Sequence, residues 1–309
     1  MRGKQVKNRE EYARIGRIML VLLFCVCEIG SAAGQKSIGV SLLTRVHQFY
    51  HGLESGLQSE ADRRGYKLII TSGEYDQLKQ AAQVDDFIAN KVDAIILAPC
   101  DSKAIGSAIV KANRAKIPVF TIDIANTSMQ GKVVSHITSD NREGGRQAAL
   151  LLVKALNAKG KVVIINHPGI TSVLDRVGGF KDEMAKYPGI QIIADVPAWG
   201  QRDRAMAIME DILLQLPDVN GVFGINDDCT LGALAATEAA GKRIMIVGYD
   251  ATPEAKKAIT EGRIYGDAIQ YPVKIGTLAI QTIANHLAGK KVPEIVPVPV
   301  GTWTKESQD

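Results

Sequence analysis

The sequence predicts an α/β protein with two doubly wound parallel sheets in series. Short runs rich in Val and Ile alternate with amphipathic stretches of helical length. Continuous apolar strands separated by helices are typical of parallel sheets that are covered on both faces. The alternation occurs twice along the chain, and no low-complexity segment or long Gly/Ser linker separates the two halves. We therefore expect two domains joined by short connections.

The first half of the chain contains four predicted strands and three predicted helices. The helical segments carry apolar residues at helical spacing, whereas the strands are short apolar runs. The strands lie at 37–43, 67–71, 93–99 and 118–123, and the helices lie at 49–64, 77–90 and 102–115.

The second half repeats this order. Its predicted strands lie at 161–166, 190–196, 221–226 and 244–250, and its predicted helices lie at 172–186, 202–216 and 230–240. Gly65, Gly241 and Gly262 each follow a helical segment, where a left-handed residue is favoured. Thr252 followed by Pro253 is typical of an N-cap with proline at the first helical position.

A leader precedes the first strand. Arg14 and Arg17 stand before an apolar run at 18–26, and small residues follow at 30–34. This order of charge, apolar core and small residues predicts a secretory signal peptide over residues 1–34, and therefore a periplasmic protein. The apolar run is shorter than the roughly 20 residues that span a bilayer.

Two features of the leader remain open at this point. Cleavage is expected after Ala33 or Gly34. A retained membrane anchor is one alternative. A lipid anchor at Cys25 or Cys27 is another, although a lipoprotein signal usually has a small residue where this chain has Phe24 and Val26.

The positive charge of the chain is concentrated in the leader. The formal net charge is +4, and residues 1–35 contribute +3 of it from six basic and three acidic residues. The remaining 31 basic and 30 acidic residues leave the body of the protein near neutrality. Such a body lacks the broad positive field that binds phosphates, so we expect no nucleic-acid partner.

Cysteine and histidine patterns predict neither a disulfide framework nor a metal site. Outside the leader only Cys100 and Cys229 remain, in different halves of the chain, and we expect both to be buried free thiols. His47 and His51 are four residues apart but have no third ligand nearby. No cofactor is expected.

Polar and aromatic side chains cluster where the predicted strands end. Ligands of open parallel sheets bind at these carboxyl ends. Carboxylate, amide and guanidinium groups each bond two neighbouring hydroxyls, while an aromatic face covers the C–H groups of a sugar ring. Helix capping and core packing are the alternative roles. Together the groups favour an uncharged, hydroxyl-rich ligand; they are His47, Phe49, Tyr50, Cys100, Asp101, Asp123, Asn126, Asp175, Arg176, Trp199, Gln201, Asn226, Asp227, Asp228, Tyr249, Asp250 and Gln270.

Motifs of nucleotide binding and of hydrolysis are absent from the sequence. It contains no G-x-G-x-x-G after the first strand, no phosphate loop and no G-x-S-x-G elbow. Asp227 and Asp228 form an acidic pair of the kind found in metal-assisted phosphatases, but one such pair at a helix start is a weak signal. We therefore expect binding without catalysis.

Five sequence blocks, in order, carry a family resemblance. They are FY at 49–50 with EADRRGY at 60–66, IPVFTID at 117–123, SHITSDN at 135–141, ND at 226–227 with LGAL at 231–234, and VGYD at 247–250 with TP at 252–253. From about 37 to 305 the chain resembles the ribose-binding branch of periplasmic sugar-binding proteins, the solute receptors of ATP-binding-cassette (ABC) importers.

The resemblance implies a periplasmic binding protein-like I fold, in which two doubly wound lobes are joined by a three-crossing hinge. The crossings are implied near 139–140, 270–271 and 299–300. The N-terminal lobe then comprises 35–139 and 271–299, and the C-terminal lobe comprises 140–270 and 300–309.

The resemblance also implies a sugar site between the lobes. Phe49 and Tyr50 are implied as one aromatic wall and Trp199 as part of the other. The remaining implied ligand-binding residues are His47, Asp123, Arg176, Asn226, Tyr249, Asp250 and Gln270. The implied ligand is a monosaccharide or polyol, and the implied partner is an inner-membrane ABC permease with its ATPase. The protein is expected to be a monomer.

Three positions depart from the ribose-type pattern. Ile124 stands where the family has an arginine, and Ala98 and His47 stand where it has asparagines. Losing a guanidinium and an amide removes hydrogen bonds that a pentose would use, and sites built around hydroxyls discriminate strongly when partners are missing. We therefore expect a ligand other than D-ribose: a different pentose, a hexose or an acyclic polyol.

Two further classes share this fold. Regulators of the lac-repressor type need an N-terminal DNA-binding helix pair, whereas this chain has an apolar leader there. A receptor that reports to a chemoreceptor or sensor kinase is the second alternative, because the sequence does not separate import from sensing.

Overall fold

The structure is a computed structural model that describes residues 34–308, of which those from Lys36 onward form one compact unit. The predicted leader lies outside the described residues apart from Gly34. Within the described part, no helix has both the length and the apolar character needed to cross a membrane.

The described chain alternates between strands and helices, as the sequence predicts. The strands are β1 (Ser37–Leu42), β2 (Lys67–Ser72), β3 (Ala94–Leu97), β4 (Val119–Ile122), β5 (Val133–Ser139), β6 (Gly160–Asn166), β7 (Ile190–Pro197), β8 (Gly221–Gly224), β9 (Met245–Asp250), β10 (Gly266–Ile269), β11 (Ile295–Val298) and β12 (Gly301–Thr304). The α-helices are α1 (Gln48–Arg63), α2 (Gln77–Ala89), α3 (Gly106–Arg114), α4 (Asn141–Ala155), α5 (Thr171–Met184), α6 (Arg202–Gln215), α7 (Asp227–Ala239), α8 (Pro253–Thr260) and α9 (Pro272–Leu287), and a 3₁₀ turn follows at Lys305–Gln308.

These strands form two six-stranded sheets. The first has the order β11-β5-β4-β3-β1-β2 and is parallel throughout. The second has the order β12-β10-β9-β8-β6-β7 and is parallel except for the antiparallel pair of β10 with β12. Strands β3 and β4 are buried along their whole length, because helices cover both faces of the sheet. The predicted two-lobed α/β fold is confirmed.

Several elements have no counterpart among the strands and helices predicted above. These elements are strands β5, β10, β11 and β12 and helices α4 and α9. Strand β10 reads GDAI. Gly and Asp disfavour strands, so pairing with its neighbouring strands rather than local propensity decides the structure of β10.

The chain passes between the two sheets at three short connections. Asp140 joins β5 to α4, residues 270–271 join β10 to α9, and residues 299–300 join β11 to β12. Helix α4 packs on the second sheet and α9 on the first. The exact lobe boundaries, and the use of these connections as a hinge, stay predictions.

Local signals at helix ends behave as predicted. Gly65, Gly241 and Gly262 have φ angles of 69°, 62° and 75°. Thr252 is the N-cap of α8, with Pro253 in its first turn. Both predicted thiols, Cys100 and Cys229, are buried and free.

Helices α4 and α5 pack with their backbones in contact through glycines. A Cβ on Gly145 of α4 would lie 1.9 Å from the carbonyl oxygen of Arg176. A Cβ on Gly179 of α5 would lie 2.0 Å from the carbonyl oxygen of Arg142. Because neither contact leaves room for a methyl group, the glycines set the distance between the two helices.

We expect Gly179→Ala to lower the free energy of unfolding by about 1–3 kcal/mol, because the methyl group would push against a backbone carbonyl. The matched control is Gly178→Ala. Its Cβ would meet only Nη1 of Arg142, at 2.8 Å, and the side chain of Arg142 is largely exposed and free to move. This control should be neutral, or stabilising by up to about 1 kcal/mol. Urea denaturation of both variants checks the prediction, and equal effects would contradict it.

Candidate ligand-binding site

A cavity of about 410 Å³, part of it open to solvent, lies between the facing edges of the two sheets. Of the ten ligand-binding residues implied by the family resemblance, eight line it: His47, Phe49, Tyr50, Asp123, Arg176, Asn226, Asp250 and Gln270. They come from both lobes, so the site exists only where the lobes meet.

Arg176 of α5 is the buried cation of this site. Its Nε donates to Oδ1 of Asn141 at 2.8 Å, and its Nη1 donates to the carbonyl oxygen of Ile225 at 3.0 Å. The guanidinium lies over the ring of Tyr249, with Cζ 4.0 Å from the ring centroid. These contacts hold the fork in one orientation.

Two carboxylates face this guanidinium from opposite lobes. Nη2 of Arg176 is 3.8 Å from Oδ1 of Asp123, and Nη1 is 3.8 Å from Oδ1 of Asp250. Both distances exceed that of a direct hydrogen bond. The guanidinium and the two carboxylates therefore attract one another while each keeps hydrogen-bonding capacity for a third group.

Asp123 is held by the chain reversal after β4. Its φ is 60°, a left-handed value that costs energy in a residue other than glycine and is often found at functional sites. Oδ2 accepts from the hydroxyl of Tyr50 at 2.8 Å, whereas Oδ1 is buried without a hydrogen-bond partner among the described residues. Burial raises the pKa of Asp123, and Arg176 opposes that rise.

Asp250 ends β9 and is held from two sides. Its Oδ1 accepts from Nε2 of Gln270 at 2.6 Å, and its Oδ2 is 3.4 Å from Nε2 of His47. The other end of the amide, Oε1 of Gln270, is buried and has no partner within the described structure. Burial raises the pKa of Asp250, while Arg176 lowers it.

His47 caps helix α1 and thereby has a defined tautomer. Its Nδ1 accepts from the backbone N–H of Phe49 at 3.0 Å. An accepting Nδ1 carries no proton, so this contact assigns the ring proton to Nε2. That N–H faces Asp250, and Oδ2 of Asp228 is 3.8 Å away.

Asn226 lines the cavity but uses both ends of its amide for structure. As the N-cap of α7 it accepts from the backbone N–H of Cys229 at 2.9 Å. Its Nδ2 donates to the carbonyl oxygen of Gly200 at 3.2 Å. Asn226 therefore connects the start of α7 to the loop after β7.

The remaining two predicted residues do not line the cavity. Trp199 is 42% exposed and has a left-handed backbone with a φ of 58°, which turns its ring towards the surface. Tyr249 is fully buried, and its hydroxyl is 3.3 Å from Oδ1 of Asn141. Adjacent residues of a strand point to opposite faces, so Asp250 faces the cavity and Tyr249 supports Arg176.

Two further rings line the cavity and were not among the predicted site residues. Tyr75 follows β2 and His167 follows β6, and their ring centroids are 6.2 Å apart. The ring of His167 in turn contacts Trp199, with centroids 5.8 Å apart. Burial lowers the pKa of His167 to about 4, so the ring of His167 is uncharged at neutral pH. The position of Tyr75 and His167 directly after β2 and β6 is the sequence signal that identifies them as candidate site residues.

With this geometry, the chain can be compared with known proteins. Residues 38–291 match the family model described as periplasmic binding protein domain. The chain belongs to the periplasmic binding protein family. The family resemblance predicted from the sequence is thereby confirmed.

Three relatives illustrate the similarity. The ribose import binding protein RbsB of Haemophilus influenzae is 34% identical over 269 residues, which cover 87% of this chain and 91% of that protein. The xylitol-binding protein of Mycolicibacterium smegmatis is 30% identical over 250 residues, covering 79% and 71%. An ABC transporter periplasmic solute binding protein from Actinobacillus succinogenes, solved with bound D-allose, has a TM-score of 0.83 at 29% identity, covering 88% and 98%.

Behind the site lies a buried pair of carboxyl groups. Asp227 begins α7 and Asp267 lies on β10, and both are buried. One oxygen of Asp227 accepts from the backbone N–H of Thr252 at 2.6 Å. Burial, followed by the neighbouring carboxyl of Asp267, raises the pKa of Asp227, and burial raises the pKa of Asp267 from 3.8 to about 7. The folded protein is more stable when this pair of carboxyl groups holds a proton.

We expect this pair to make the folded protein less stable as the pH rises. Between about pH 4 and pH 7 the folded state retains a proton that the unfolded chain releases. The free energy of unfolding should therefore fall in that window by about 1.4 kcal/mol per pH unit for each proton that the folded state retains.

Asp267→Asn should reduce this dependence, because the amide does not titrate, whereas burial still raises the pKa of the remaining carboxyl of Asp227. Urea denaturation between pH 4.5 and 8 measures the slope, and Asp85→Asn, at an exposed position paired with Lys111, is the control. The same slope in Asp267→Asn as in the unaltered chain would contradict the assignment.

Proposed function

We propose that the protein is an exported receptor that captures a monosaccharide or polyol between its lobes and delivers it to an ABC importer. The observation that carries the proposal is a pair of buried acceptors beside the guanidinium of Arg176, Oδ1 of Asp123 and Oε1 of Gln270, which have no hydrogen-bond partner among residues 34–308. A buried acceptor without a partner is costly. Hydroxyl groups of a ligand would satisfy these acceptors.

The charge of the site favours a neutral ligand. Asp123 and Asp250 face a single guanidinium, and His47 is held as a neutral donor by its cap. An anionic sugar acid or sugar phosphate would add a third negative charge to a buried site, at a large desolvation cost. A sugar or polyol presents only hydroxyl donors and acceptors.

The known relatives support this ligand class. Those described above are named for ribose import and xylitol binding, and the structural neighbour holds D-allose. They are binding proteins, and we propose that this chain likewise binds without catalysis. The departures at His47, Ala98 and Ile124 favour a ligand other than D-ribose.

Lobe closure is the proposed mechanism of capture. In the open form Asp123 and Tyr50 lie on one lobe and Arg176 and Asp250 on the other, so a bound sugar bridges the lobes through both sets of groups. Closure removes water, which strengthens the enclosed hydrogen bonds. The three short connections would act as the hinge.

The closed rim is the proposed recognition surface for an inner-membrane permease with its ATPase. Because the ligand binds both lobes, it shifts the population towards the closed form that a partner recognises. We propose that the receptor acts as a periplasmic monomer. A chemoreceptor or sensor kinase that recognises the same closed form is the alternative partner.

A thermal-shift panel of pentoses, hexoses and polyols tests the ligand class. A ligand at 100 times its Kd stabilises the folded state by about 2.7 kcal/mol, which for a chain of this size is a rise in Tm of roughly 5–10 °C. We expect at least one sugar or polyol other than D-ribose to give this rise. A response to D-ribose alone would contradict the expected ligand.

Asp123→Asn should abolish most of that rise, because the amide cannot offer two acceptor oxygens to the ligand and the guanidinium. Asp76→Asn is the matched control: Asp76 caps α2 outside the cavity, and asparagine is an equally good cap. Loss of the ligand response in both variants would argue against a specific role for Asp123.

Closure predicts that the ligand found in the panel reduces the radius of gyration of the protein. Small-angle X-ray scattering with and without a saturating ligand measures this change, and the Asp123→Asn variant should show none. An unchanged radius with saturating ligand would contradict hinge closure.

A further inference from the structure

The cavity has a polar part and an apolar part. Several buried apolar side chains line it, and we call four of the aliphatic ones the apolar wall: Leu43, Ile124, Ile170 and Val173. Each is at most 7% exposed, and all four belong to one continuous apolar cluster. Ile124 stands at a position where the family resemblance implies a guanidinium.

Hydrogen bonds between the lobes hold the apolar wall together. The backbone N–H of Ala125 donates to the hydroxyl of Thr171 at 2.8 Å, and the N–H of Thr171 donates to the hydroxyl of Ser102 at 3.0 Å. These bonds connect Ala125, which follows Ile124, to Thr171, which follows Ile170. The wall is therefore formed by both lobes and is complete only when they meet.

The apolar wall directly adjoins the polar groups. Ile124 follows Asp123 in sequence. Val173 precedes Arg176 by three residues on α5, so these two side chains lie on one helix face, with Cβ atoms about 5–6 Å apart, and both line the cavity. We therefore expect a ligand held by Asp123 and Arg176 to place a neighbouring substituent against Ile124 and Val173. Neither side chain can hydrogen-bond to a hydroxyl there.

We propose that the ligand is a deoxysugar or a methyl-terminated polyol, whose hydroxyl edge meets Asp123, Arg176 and Gln270 and whose apolar edge packs on the apolar wall. This inference rests on the proposed function. A hydroxyl at the apolar wall would lose its hydrogen bonds to water without replacement, whereas a methyl group gains from burial.

Matched sugar pairs that differ by one hydroxyl test the proposal. The pairs are D-galactose with 6-deoxy-D-galactose, L-mannose with L-rhamnose, and D-ribose with 5-deoxy-D-ribose, measured by isothermal titration calorimetry. In at least one pair we expect the deoxysugar to bind about tenfold or more tightly, which is about 1.4 kcal/mol.

Variants connect this preference to the apolar wall. Ile124→Thr and the nearly isosteric Val173→Thr each introduce a hydroxyl and should reduce the preference to about threefold or less. Ile295→Thr, the same substitution at an exposed position of β11, is the control and should leave the preference unchanged. Circular dichroism confirms that each variant is folded.

The outcomes separate the two proposals. Equal or tighter binding of the parent sugars overturns the deoxysugar inference and leaves the proposed function standing. Absence of binding by every sugar and polyol overturns both. A preference that survives in both Ile124→Thr and Val173→Thr also overturns the inference, because the selectivity would then not depend on the apolar wall.

Discussion

A buried guanidinium between two carboxylates from opposite lobes is the interaction on which the site depends. Removing Arg176 from water costs several kcal/mol, and the structure offsets this with two direct hydrogen bonds and the ring of Tyr249. Asp123 and Asp250 stay 3.8 Å away rather than closing on it. A fully satisfied ion pair would have no capacity left for a ligand, whereas this arrangement keeps hydrogen-bonding groups free and aimed at the cavity.

The scaffold around Arg176 is correspondingly rigid. Helix α4 supplies Asn141 to orient the guanidinium, and helix α5 carries Arg176 itself. Because Gly145 and Gly179 bring these two backbones into contact, a small change in helix spacing would move the guanidinium relative to both carboxylates. On the other lobe, the left-handed backbone at Asp123 serves the same purpose, since it fixes the carboxylate at the end of a buried strand.

Residues at strand ends could be predicted because all strands of a parallel sheet end at the same edge. This rule located Asp123, Asp250 and Gln270. It applies equally to Tyr75 and His167, which follow β2 and β6. The ring of Trp199 lies one layer further out, 42% exposed and against the ring of His167, and its role as part of an aromatic wall stays a prediction. Strand β10 escaped prediction because Gly and Asp disfavour strands, and pairing with β9 and β12 on its two sides orders it.

The sequence by itself determined the fold class, the caps of the helices and the positions at which polar groups leave each strand, because these depend on periodicity and local backbone preference. Only the tertiary structure decided which of those groups remain unpartnered, that Ile124 and Val173 form one wall, and that Asp227 and Asp267 share a buried environment. These are contacts between residues 40 or more positions apart in the chain, and their energies arise only when separate elements pack together.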